Sequence, residues 1–274
     1  MSAVTKAPPT LDTLENYLQG LPQIAADCVH AFAPGIYIRQ VTLQAGSFVM
    51  GHRHRTAHLN VMLSGRLTMF NDDGTRSELS APVVCVAQPG RKVAYVHERT
   101  VWLNIYATTE TDVEKLEAEL LDKSEDFAAQ EQGFKRDADA DREDFAQFLF
   151  EQNLTAAYVR CESENTTDLI NFPLGAYKFQ LGASAIEGRG LICSADIERG
   201  EIIAPARIEG KRTPAGRYTN HSRNPNAQMI SDTDGNIYLI ATRPIGGALG
   251  GQPGDEITVD YRAALQLNKQ VTQA

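Results

Sequence analysis

Cysteine is scarce in this sequence. The four residues Cys28, Cys85, Cys161 and Cys193 are widely separated, and no Cys-x-x-Cys pair occurs among the 274 positions. That spacing argues against a disulfide framework or a zinc knuckle, and reduced thiols in a cytoplasm are the expectation. Long apolar runs are missing too: none approaches the roughly 18 residues of a membrane span. The opening stretch, Met1 to Thr10, lacks the apolar centre of a signal peptide, so no membrane association is expected. Basic residues are outnumbered, 26 Lys plus Arg against 35 Asp plus Glu, giving a formal net charge of −9. Direct nucleic-acid binding is therefore not expected, because it needs a basic face that displaces counterions.

What is present suffices for a folded protein. Apolar residues make up 42% of the chain, and the length suggests two domains of ordinary size. After an N-terminal tail over 1–20, residues 21–109 read as short strands: Gly46-Ser-Phe-Val-Met-Gly, Leu59-Asn-Val-Met-Leu and Val83-Val-Cys-Val, with a hairpin turn at Asn71-Asp-Asp-Gly74. Such strands suggest an antiparallel sandwich or barrel. Residues 110–170 read as a helical connector. Thr111-x-x-Glu114 resembles a capping box; Val113, Leu116, Leu120 and Leu121 recur at helical spacing, and Phe145, Phe148 and Leu149 mark a second helix. Residues 110–144 hold 14 acidic and 5 basic side chains, so this stretch alone accounts for the net charge. Two readings of it stand: a solvated helical face, or a surface that attracts a basic partner. From 171 to 265 strand signals return amid dense glycine, followed by a tail over 266–274. Gly246-Gly-Ala-Leu-Gly-Gly251 lacks the Gly-Lys-Ser/Thr ending of a phosphate-binding loop.

His52, His54 and His58 share strand parity within seven residues. On a straight strand the outer pair would lie about 20 Å apart, so they converge only if the chain turns near Arg55-Thr-Ala57. Neutral imidazoles so gathered suit a divalent transition metal. The stretch Gly46-x5-His52-x-His54-x3-His58-x6-Gly65 resembles the first motif of the cupin family of small β-barrels, with His58 where that family usually has Glu. The second cupin motif is degenerate here: Gln88-Pro-Gly90 is followed by Arg91, Lys92, Val93 and Ala94, and His97 is the nearest histidine. The resemblance implies a metal at His52, His54, His58 and His97; the alternative is a barrel whose histidines are polar lining.

Three C-terminal segments carry a sharper signal: Glu187-Gly-Arg-Gly-Leu-Ile-Cys-Ser-Ala-Asp-Ile-Glu-Arg-Gly-Glu201, Arg217-Tyr-Thr-Asn-His-Ser-Arg-Asn-Pro-Asn226 and Gly254-Asp-Glu-Ile-Thr-Val-Asp-Tyr261. In order and chemistry they resemble the SET domain of protein lysine methyltransferases, in the short form of bacteria and their viruses. The resemblance implies a β-rich fold with a knotted loop, S-adenosyl-L-methionine as cofactor, and a protein with an accessible lysine as substrate. It assigns Tyr261 the catalytic tyrosine position, gives Gly188, Arg189, Gly190, Asn220 and His221 to the cofactor, lets Asn226 pin the loop through which the closing segment passes, and leaves Tyr218 to packing.

The full expectation is a mainly β protein: cupin-like barrel, acidic helical connector, SET domain. Only 13 residues follow Tyr261 and none is cysteine, so no zinc-binding tail walls a lysine channel. The connector, the cupin-like unit or a second subunit must supply that wall, and the cupin-like unit is a candidate for homo-oligomer formation. Two other functions compete: a non-catalytic SET and cupin assembly protein, and a cupin metalloenzyme.

Overall fold

A computed structural model describes residues 11–19, 21, 24, 26–70, 75–124, 139–249 and 253–273. The N-terminal part runs α1 (Leu11–Gln19), β1 (Asp27–Ala33), β2 (Ile36–Leu43), β3 (Phe48–Met50), β4 (Arg53–His54), β5 (His58–Phe70), β6 (Arg76–Ser80), β7 (Val83–Ala87) and β8 (Val93–Ala107). The middle holds α2 (Val113–Leu120), β9 (Leu121–Asp122), α3 (Asp139–Glu151) and α4 (Ala156–Glu164). The C-terminal part continues with β10 (Gly175–Tyr177), β11 (Phe179–Ala183), β12 (Arg189–Cys193), β13 (Ile202–Ile208), β14 (Lys211–Arg212), α5 (Pro214–Tyr218), β15 (Asn220–His221), β16 (Ala227–Ser231), β17 (Ile237–Ala241), β18 (Glu256–Val259) and α6 (Tyr261–Gln273). The chain is mainly β, as its short β-branched runs predict.

The N-terminal strands form one antiparallel sheet in the order β10-β1-β2-β8-β5-β6, with β3 on β8 and β7 on β5. Its register stacks side chains in ranks. Cys28, Val41, Trp102 and Met62 lie opposite one another across β1, β2, β8 and β5; His30, Arg39, Asn104 and Asn60 form the next rank; Phe32, Tyr37 and Tyr106 the one beyond. Alternation sends these ranks to one face. The predicted hairpin turn at 71–74 lies outside the described residues; the strands flanking it pair in register, Phe70 opposite Arg76.

The N- and C-terminal parts are not separate bodies. β10, from the C-terminal part, adds to the edge of β1 with Gly175 opposite Phe32. One apolar cluster runs from Phe32, Tyr37 and Tyr106 through Leu116 and Leu120 of α2 to Phe179, Leu191 and Ile257. Cys28 N–H donates to Ser194 O at 3.1 Å, and Ser194 Oγ returns a bond to Cys28 O at 2.7 Å. The segment after 265 continues as α6 rather than as a tail.

Two expectations for the connector need correction. The N-cap of α2 is Asp112, not Thr111: its carboxylate accepts the amides of Glu114 and Lys115, because an anion is the stronger acceptor at the positive end of a helix. Nor is the described part of the acidic stretch only a solvated face. Glu119, Asp139 and Glu143 are exposed, but Asp141 is buried, Glu117 pairs with Lys123, Asp122 with Arg55, Glu114 with Arg189, and Asp144 with His221 and Arg262. Asp122, Glu114 and Asp144 thereby fasten the connector to its neighbours on both sides.

Candidate functional site

Two places gather chemically active side chains. The first is a cavity of about 1560 Å³ that begins inside the N-terminal sheet and reaches Ser184 and Glu256 of the C-terminal part. His52, His54, His58, Arg39, Asn60 and Asn104 line it, and α1 borders it through Glu15, whose carboxylate takes both Arg91 Nη atoms at 2.6 and 2.8 Å. The chain does turn between β4 and β5, and it stacks the His54 and His58 rings with centroids 4.3 Å apart. Burial first, and the Arg39 cation second, push His52 down to about 4; burial, His58 and Arg39 push His54 down to about 3. Both are neutral imidazoles at pH 7.

The four-histidine metal set is nevertheless not assembled. Stacked rings do not aim their nitrogens at one point, and His54 Nδ1 is engaged with the Tyr106 hydroxyl at 2.6 Å. Strand alternation puts His97 on the face of β8 away from the cavity-lining Ala94, where its Nε2 meets Thr68 Oγ1 at 2.8 Å. Among the described residues no three His, Cys, Asp or Glu side chains are placed to hold a metal ion.

The second place is built by β18, which enters between β12 and β15. β15 runs parallel to it, Asn220 opposite Thr258 and His221 opposite Val259. Asn226 locks the arrangement: its Nδ2 donates to Glu256 O and its Oδ1 accepts the Thr258 amide, both at 2.8 Å. This brings His221 against Tyr261. The Tyr261 amide donates to His221 Nδ1 at 3.2 Å, which leaves the ring proton on Nε2, donated to Asp144 Oδ2 at 2.8 Å. The Tyr261 hydroxyl donates to Thr219 O at 3.0 Å, and burial, then the Glu256 carboxylate, raise it to about 12. Helix α3 covers this pair. Phe145 and Phe148 meet the Tyr261 ring edge-on, each with centroids 5.9 Å apart. Arg262 bonds Asp144 and Glu151 of α3, and Asp141 accepts Ser222 Oγ at 2.8 Å.

Asn220 stands beside the Gly-Arg-Gly segment. Its Nδ2 lies within hydrogen-bond distance of Glu187 O, Arg189 O, Ser184 Oγ and Glu256 Oε1. Gly190 permits this, since a Cβ there would fall 2.3 Å from Glu256 Oε1. Gly188 has φ of 56°, with open space where a Cβ would project. Arg189 pairs with Glu114 and stacks over Tyr218 at 5.1 Å. Sequence reasoning missed Ser184, Glu256, Asp144 and Arg39 as site residues. Only Glu256 had a signal, its place in the closing motif; helical periodicity marked Phe145 and Phe148 as one face without saying what that face covers.

Residues 204–262 match the family model described as SET domain. The chain contains a SET domain. The match spans Asn220, His221, Asn226 and Tyr261 and begins after the Gly188-Arg189-Gly190 segment. No curated protein matches the chain. Among solved structures, a cupin domain from Bordetella pertussis is 18% identical, over 33% of this chain and 100% of that one, with a TM-score of 0.28. A cupin-2 domain containing protein from Shewanella frigidimarina is 15% identical, over 28% and 76%, with a TM-score of 0.24. A cupin superfamily protein from Desulfitobacterium hafniense is 16% identical, over 37% and 91%, with a TM-score of 0.26. Among the described residues no helix is long and apolar enough to cross a membrane.

Proposed function

We propose that the protein transfers a methyl group from S-adenosyl-L-methionine to a lysine side chain of a protein substrate, with Tyr261 as its catalytic residue. The observation that carries this reading is the juxtaposition of Tyr261, His221 and Asn220 by the parallel pairing of β15 with β18.

The residues suit the cofactor. Asn220 commits its Nδ2 to its neighbours while its Oδ1 remains an acceptor, and the backbone at Gly188 is open. Gly188, Arg189, Gly190, Asn220 and His221 would hold it. When bound, it supplies an electrophilic methyl on a sulfonium. Every other requirement falls on the chain: a neutral amine must be held in line with the breaking bond, and that positioning supplies much of the rate. A hydroxyl held near a pKa of 12 stays protonated at neutral pH, so Tyr261 orients the amine without competing as a nucleophile. Phe145 and Phe148 provide an apolar wall along which the lysine stem loses water, which favours the neutral amine. α3 thus supplies a wall for the lysine channel.

Replacing Tyr261 with Phe is expected to lower turnover by about 100-fold or more while leaving cofactor affinity nearly unchanged. Labelled-cofactor transfer to a cell lysate measures the first and calorimetry the second; full turnover in the variant removes Tyr261 from the mechanism. A second reading, a non-catalytic assembly protein built on the SET fold, draws on the closure of α3 over Tyr261. Calorimetry showing no S-adenosyl-L-methionine binding at millimolar ligand would favour it.

A further inference from the structure

We propose that the cavity of the N-terminal sheet is a binding site for a small organic carboxylate, anchored by the guanidinium of Arg39. Support for this site does not rest on methyl transfer.

The argument starts from register. Arg39 occupies the middle of the inward-facing sheet, opposite Asn104 on β8 and His30 on β1, with Asn60 next in the rank. The Arg39 side chain is only partly exposed, and a guanidinium drawn partly out of water favours acceptors for its N–H groups. The described residues provide no hydrogen bond to its Nε, which is shut off from solvent. The carboxylates nearby are committed elsewhere: Glu117 is within electrostatic reach but is held by Lys123 at 2.9 Å, and Glu15 is held by Arg91. Lys92 also lines the cavity.

The guanidinium selects the ligand chemistry. Its paired Nη atoms present two parallel donors, which match the two oxygens of a planar carboxylate. The neighbouring ranks select its body. On one side lie Val41 and Trp102, on the other the His54 and His58 imidazoles, all flat or apolar. This lining suits an acid with an uncharged, partly planar remainder, and the volume is ample for a metabolite-sized molecule. The cation that binds an anion here is already built into β2.

Trp102 is the only tryptophan in the sequence and lies one rank from Arg39, so its fluorescence reports occupancy in the unmodified full chain. Benzoate is expected to change that emission saturably with a Kd of about 1 mM or tighter, and benzamide, equal in shape but uncharged, to bind at least about tenfold more weakly. Arg39→Met is expected to lose at least about tenfold in benzoate affinity, and Arg39→Lys to retain part of it. If Arg39→Met does not fold, the comparison of benzoate with benzamide on the unmodified chain decides. Equal affinity for the two, no saturable response at about 10 mM benzoate, or a folded Arg39→Met with unchanged affinity overturns the proposal. Inorganic phosphate binding more tightly than benzoate overturns the assignment to carboxylates.

Discussion

Asn226 gives the clearest case at the scale of a residue. One amide side chain satisfies a carbonyl and an amide of β18 that are two positions apart, and it is itself buried. Asn226→Ala removes both bonds and strands two backbone groups, so a loss of about 2–4 kcal/mol is expected in urea unfolding. A loss under about 0.5 kcal/mol would mean that water replaces the side chain. The Asn-His-Ser-x-x-Pro-Asn spacing exposed this role in the sequence. Arg39 had no such signal. An arginine on a short strand reads as an outward-facing residue, and only the pairing of β2 with β8, more than sixty positions away, turns it inward.

At the scale of an element, α3 is the part whose meaning the sequence concealed. Its apolar positions announced a helix, but a helical stripe carries no address for the surface it will cover. The address lies in Asp141, Asp144 and Glu151, and their partners Ser222, His221 and Arg262 come from distant segments. Arg262 first, and His221 as a further partner, hold the Asp144 carboxyl below the usual range. Its contribution is therefore fully present above the unfolded pKa of about 3.9 and is lost as pH falls through the lower folded value. Asp144→Asn is expected to lower Tm at neutral pH and to flatten its decline below about pH 4. Calorimetric melts between about pH 2 and 7 measure this, and parallel curves for the two proteins would contradict it.

For the whole molecule, the sequence marked two folded regions and an acidic join, and the strands and the α2 stripe were legible because their periods are local. The core shared by the two regions was not, because it rests on contacts between residues such as Phe32 and Tyr177. A fragment beginning at residue 171 would expose the apolar faces of β11 and β12 that α2 and the N-terminal sheet cover. It is expected to lack a cooperative thermal transition, while the full chain melts in one step. A fragment with a sharp melt of its own would refute the shared core. The acidic stretch takes its sense at this scale, since Glu114, Asp122 and Asp144 within it pair with both flanking regions.

The pairing of β10 with β1 also bears on how the protein is made. β1 is an early product of synthesis, but the strand that closes its free edge includes Gly175, opposite Phe32. A ribosome adding roughly 5–20 residues per second needs on the order of ten seconds to cover that interval. Throughout it, the nascent chain carries an open strand edge, the feature most prone to pair with a neighbour. Ribosomes crowded on one message would hold several such edges close together, so yield of the native chain should depend on how quickly translation reaches β10.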